Sequence, residues 1–177
     1  MPLIDNLGAF QECLPPSGSL LALDLSKRRI GLAGTDAGRS LVTPLHTLER
    51  ARWVRDLARL QAVIRERQVV GLVVGWPLNM NGSAGPACQA VLATARKLEA
   101  TLNLPILLQD ERLTTSAVAF AIEEGRWPRP KRGEPVDHLA AAVILEDALR
   151  GLDRARHAHP DVVEETQSEG LRGGSLR

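Results

Sequence analysis

Leu20-Leu21-Ala22-Leu23-Asp24-Leu25 is the stretch that decides the fold: five of its six side chains are apolar, on both faces of an extended chain, and the sixth is a carboxylate. A strand apolar on both faces is covered on both, which places it in the middle of a sheet flanked by helices. The acid within it needs a reason, because unpaired carboxylates are seldom buried.

Outward from this strand, Arg29 to Gly34 and Ser40 to Leu48 flank the turn residues Asp36, Ala37 and Gly38, so two further strands form a hairpin and the sheet begins antiparallel. From Arg52 to Arg67, Trp53, Val54, Leu57, Leu60, Val63 and Ile64 recur at helical spacing with arginines on the other face. A strand over Val69 to Val74, a helix over Pro86 to Leu102 and a strand over Leu104 to Gln109 follow, the order that produces parallel pairing through crossovers. Ser116 to Glu124 reads as a short helix capped by Thr114 or Thr115 and stopped by Gly125. Arg126 to Pro135, with three prolines and four basic residues, reads as a flexible loop, and Asp137 to Leu152 as the closing helix. The expectation is an α/β fold with a mixed five-stranded sheet. It occupies residues 19–152, between a flexible lead-in at 1–18 and a flexible tail at 153–177.

The 177 residues suit one domain, and 22 basic against 21 acidic residues leave bulk charge near neutral. Any nucleic-acid contact therefore depends on local basic patches. Cys13 and Cys88 form neither a metal-ligand pattern nor a disulfide framework. No basic leader precedes an apolar run, and no run reaches the roughly 18 apolar residues of a membrane span. A cytoplasmic protein without membrane contact is expected.

Chemistry in such sheets gathers beyond the carboxyl ends of parallel strands. Three acids from distant segments are candidates for that edge: Asp24, Glu111 and Asp137. Asp24 also reads as a turn residue, and Asp137 as an acid favoured at a helix start. Ala140, Ala141, Ile144 and Ala148 nevertheless follow Asp137 on one stripe and turn it inward. Clustered acids repel one another unless a divalent cation lies between them, which points to a metal site and phosphoryl chemistry. Asp110 and Glu111 are adjacent and point to opposite faces, so only one joins such a site, and Glu111 is favoured. Candidate phosphate contacts are Lys27, Arg28, Arg29 and Arg112, the threonines Thr114 and Thr115, and Asn79 in the glycine- and asparagine-rich loop 75–83. Lys131 and Arg132, with Arg126 and Arg129, add basic charge on the proline-rich loop. Trp76 and Trp127 are candidates to stack on bases, whereas Trp53 reads as core.

Four segments taken in order, LALDLSKRRIGLA at 21–33, VVGWPLNMNGSAGP at 73–86, LQDERLTT at 108–115 and VDHLAAAVILE at 136–146, resemble the YqgF family. These are candidate pre-16S rRNA nucleases, also described as Holliday junction resolvase-like proteins, with a ribonuclease H-like fold. The resemblance spans about Ser19 to Leu152. It implies metal-dependent phosphodiester hydrolysis in the 5′-end maturation of pre-16S rRNA. Asp24, Glu111 and Asp137 are then the catalytic acids holding Mg²⁺ or Mn²⁺, two ions once substrate is bound, and ribosomal precursor particles are a partner. Ser26 stands where the family usually has glycine.

Other classes are a resolvase cutting four-way DNA junctions, which calls for a symmetric dimer, and a module that binds nucleic acid without cutting it. A kinase-like phosphotransferase needs a second domain that 177 residues do not supply. Monomer and homodimer are equally open from the sequence.

Overall fold

The structure, a computed structural model, describes residues 3–158. Its strands are β1 (Leu3–Ile4), β2 (Ser19–Leu25), β3 (Arg29–Thr35), β4 (Val42–Glu49), β5 (Val69–Trp76) and β6 (Ile106–Asp110). Its helices are α1 (Leu7–Cys13), α2 (Trp53–Glu66), α3 (Pro86–Leu102), α4 (Thr114–Glu123) and α5 (Asp137–Ala158). The sheet order is β1-β6-β5-β2-β3-β4. β2, β3 and β4 pair antiparallel, while β5 and β6 run parallel to β2 and to each other, and β1 runs parallel to β6.

β2 lies inside the sheet, as its double-faced apolarity requires. Leu20 and Ala22 pack on one side with α1, α4 and α5, and Leu21 and Leu23 pack on the other with α2 and α3. Leu20 and Leu21, neighbours in sequence, are both 0% exposed in different layers. Each such burial stabilises the fold by about 1.5–3 kcal/mol. α3 begins with Pro86 at its first turn and ends at Asn103 in the left-handed region, a residue type that tolerates that backbone. α5 presents Ala141, Ala142 and Ala148, all 0% exposed, to the sheet, and these small side chains let it lie close.

Four sequence expectations change. The sheet has six strands, because the lead-in supplies β1 at its edge. The same segment forms α1, whose Phe10 is 0% exposed beneath α5, and Arg39 ties the chain after it by donating to Pro15 O at 2.8 Å and Gly18 O at 2.9 Å. A two-residue strand and a seven-residue helix are too short to display a period. α4 starts at Thr114 rather than Ser116, with Leu113 in the cap position and no side-chain cap. α5 continues through residues assigned to the tail as far as Ala158; the remainder of the expected tail, 159–177, lies outside the described residues. No helix among the described residues is long and apolar enough to cross a membrane.

Candidate active site

The parallel strands β2, β5 and β6 end along one side of the sheet. Asp24, next to last in β2, pairs with Gly31 of β3. Alternation along β2 puts it on the Leu20 and Ala22 side, beneath α5. Glu111 follows β6, and its N–H donates to Trp76 O at 3.2 Å, holding it at the end of β5. Asp137 is the first residue of α5, where the Val136 carbonyl accepts from the N–H groups of Leu139 and Ala140 at 2.9 and 3.1 Å.

Two glycines clear the space these acids use. A Cβ on Gly31 would stand 2.0 Å from the Asp137 carbonyl oxygen, and one on Gly75 would stand 2.2 Å from Glu111 Oε2. A side chain at Gly31 would have to displace the backbone at the start of α5, and one at Gly75 would have to push aside the Glu111 carboxylate and Ile144. Sequence reasoning missed this role; its only trace is a glycine inside each of two strongly β-forming runs.

Asp24 is the acid whose charge is coupled to both of the others. Burial, and then the charge of Asp137, push the Asp24 carboxyl up to about 6. Burial, followed by Asp24 and Asp110, pushes Glu111 up to about 7. Asp137 is engaged elsewhere: Arg29 Nε donates to its Oδ2 at 2.8 Å. Among the described residues no three His, Cys, Asp or Glu side chains form a ready-made group that could hold an ion. The donor chemistry nevertheless fits a hard divalent cation, since the acids are oxygen donors, and burial together with the charge of neighbouring carboxylates disfavours the ionised form of two of them.

The remaining candidates separate by environment. Lys27 and Arg28 are exposed in the β2–β3 turn, which Ser26 closes: its Oγ accepts from Arg29 N and donates to Arg29 O, both at 3.1 Å. Arg29, expected to grip phosphate, is bound to Asp137 instead. Asp110 turns from Glu111 to Arg112, with Nε–Oδ2 at 2.8 Å and Nη2–Oδ2 at 2.6 Å, and the hydrogen bond to Arg112 holds its carboxyl below the usual range. Arg112 stays exposed, its Nη1 reaching Met80 O at 3.5 Å. Asn79 is exposed and donates to Ser83 Oγ at 2.9 Å within the loop after β5. Thr115 is exposed, whereas Thr114 is buried under the first turn of α4 and is not available to substrate. Lys131 and Arg132 are exposed on the loop between α4 and α5.

Trp127 is buried, with the Arg126 guanidinium 5.6 Å from its ring centre, so its expected role in base stacking does not hold. Arg126 is itself paired with Glu124 and Glu146. Trp76 is half-buried and lines a cavity of about 440 Å³ with Asp5, Leu78, Leu108 and Asp110.

A helix-flanked mixed sheet with an acid on its central strand and two more acids at the same side defines the ribonuclease H-like class. RuvC of Thermus thermophilus shares this fold with a TM-score of 0.50 at 14% identity, over 76% of this chain and 96% of its own. Residues 18–151 match the model of the RuvX family, described as a Holliday junction resolvase, and the chain belongs to that family. A protein of Rhodospirillum rubrum is 46% identical over 157 residues, covering 88% of this chain and 97% of its own length. One of Cereibacter sphaeroides is 45% identical over 149 residues, covering 84% and 93%. Both are named as candidate pre-16S rRNA nucleases.

Proposed function

We propose that this protein is a metal-dependent phosphodiester hydrolase that matures the 5′ end of pre-16S rRNA, with Asp24, Glu111 and Asp137 holding Mg²⁺ or Mn²⁺. The observation that carries the reading is the placement of half-buried Asp24 and Glu111 at the carboxyl ends of parallel strands, beneath the helix that Asp137 opens, with burial and neighbouring carboxylates raising both carboxyls. The names of its relatives supply the substrate. A hard divalent ion supplies a nucleophile at neutral pH and Lewis-acid stabilisation of phosphoryl oxygens. Three carboxylates are few for two ions, so the second arrives with substrate.

The exposed cations Lys27 and Arg28 in the turn after Asp24, Arg112 next to Glu111, and Lys131 and Arg132 on the loop leading to Asp137 suit contacts to the sugar–phosphate backbone, with Asn79 and Thr115 as neutral donors. Aromatic side chains are scarce and Trp127 is buried, so recognition rests on backbone and shape rather than on base stacking. The working setting is a ribosomal precursor particle in the cytoplasm.

The test is a cleavage panel with Mn²⁺ or Mg²⁺ on structured RNA bearing a 16S 5′ extension, single-stranded RNA and DNA, and a four-way junction. Asp24→Asn and Asp137→Asn each reduce cleavage of the RNA precursor to background while circular dichroism shows a folded domain. Full cleavage by both variants defeats the assignment of the acids, and cleavage of the junction alone moves the substrate to DNA.

A further inference from the structure

Arg29 and Asp137 make an unequal ion pair: the carboxylate side chain is 11% exposed and the arginine side chain 40%. They lie 108 residues apart in sequence and meet because α5 begins directly over β3 at Gly31. Among the described residues Asp137 is the only one of the three acids paired with a protein cation; Asp24 and Glu111 form no ion pair. A carboxylate oxygen that already accepts from a guanidinium is a poor ligand for a dication, and the two positive charges repel at this range. The bond occupies Oδ2, so an ion entering at Asp137 competes with Arg29 for this carboxylate and favours release of the guanidinium. The freed guanidinium then stands at the β2–β3 turn beside Lys27 and Arg28, with a planar set of donors suited to phosphate oxygens.

We infer that Arg29 is a counter-ion latch on Asp137 that is handed over to a substrate phosphate, so that divalent-ion binding and nucleic-acid binding are coupled through this one side chain. The inference rests on the proposed role of the three acids as the ion site. Arg29 acts here as a positioning residue: it sets when Asp137 is free to coordinate. Linkage makes the effect reciprocal, each partner raising the affinity of the other by the same factor.

The experiment measures Mn²⁺ binding to the full chain by loss of the free-ion electron paramagnetic resonance signal. It is run with and without a short single-stranded phosphorothioate RNA that resists cleavage. In the wild type the oligonucleotide raises Mn²⁺ affinity by about tenfold. Arg29→Gln raises the affinity of the free protein by about the same factor and abolishes the response to oligonucleotide, while Arg29→Lys keeps part of that response. Arg28→Gln removes an equal charge from the neighbouring position without touching Asp137, and leaves free-protein Mn²⁺ affinity within about threefold. Equal Mn²⁺ affinity in wild type and Arg29→Gln overturns the latch and leaves the ion site standing. An equal gain from Arg28→Gln also overturns it, since bulk charge then explains the effect. Absence of Mn²⁺ binding to the wild type in both conditions overturns the ion site and the latch together.

Discussion

Asp24 and Glu111 hold their protons to about pH 6 and about pH 7 in the folded chain, against ordinary values of 3.8 and 4.5. A raised carboxyl value means that the folded state binds protons the unfolded state has already released. In the absence of an ion, stability contributed by this pair is therefore intact below about pH 4 and is lost as pH rises to about 7. A tenfold difference in proton affinity between folded and unfolded chain is worth about 1.4 kcal/mol, so the ionised pair opposes folding by a few kcal/mol. Asp24→Asn should accordingly stabilise the ion-free protein at pH 8, by on the order of 1–3 kcal/mol, with the difference closing near pH 4. Urea unfolding in EDTA at the two pH values measures this, and a variant less stable than wild type at pH 8 rejects the account. The acids were legible in the sequence because a carboxylate in an apolar strand, or facing inward from a helix start, conflicts with its surroundings. The bond from Arg29 to Asp137 was not, because periodicity carries no information about which side chains meet across 108 residues. Gly31 and Gly75 were hidden for the same reason: what a glycine leaves room for is visible only once its neighbour is placed.

Among the elements, α2, α3 and α5 were readable because each is long enough to repeat its apolar stripe. The bounds of α3 agree at both ends, where Pro86 and Asn103 give local starting and stopping signals. α1 has no such length and follows a strand of two residues, so the segment reads as loose. Packing decides otherwise: Phe10 is fully buried, Leu7 meets α5 where Gly151 has no side chain, and Asn6 caps the helix by accepting from Ala9 N at 3.1 Å. Phe10→Ala should therefore destabilise the domain by about 3–5 kcal/mol, as truncating a buried aromatic does. A mobile lead-in would tolerate the change within about 0.5 kcal/mol. Equilibrium urea unfolding separates the two outcomes.

At the scale of the molecule, the proposed ion site draws on β2, on the segment after β6 and on the start of α5, so its occupation would link parts of the chain that are remote in sequence. An ion that binds only the folded arrangement stabilises it by about 2.7 kcal/mol at a hundredfold excess over its dissociation constant. Saturating Mn²⁺ should raise the thermal midpoint at pH 8. The rise should shrink at pH 5, where Asp24 and Glu111 keep their protons, and vanish in Asp137→Asn. Calorimetry with equal rises at both pH values would show that these carboxyls are not the ligands. The layered sheet itself was legible, because double-faced strands and single-faced helices admit few arrangements.

The seating of β1 and α1 bears on how the protein is made. β1 pairs with β6 at Ile106 and Leu107, and α1 rests on α5, so elements synthesised early complete their packing against those synthesised late. A nascent chain must carry Phe10 uncovered until the closing helix has cleared the exit tunnel, which makes the interval of translation its most aggregation-prone moment.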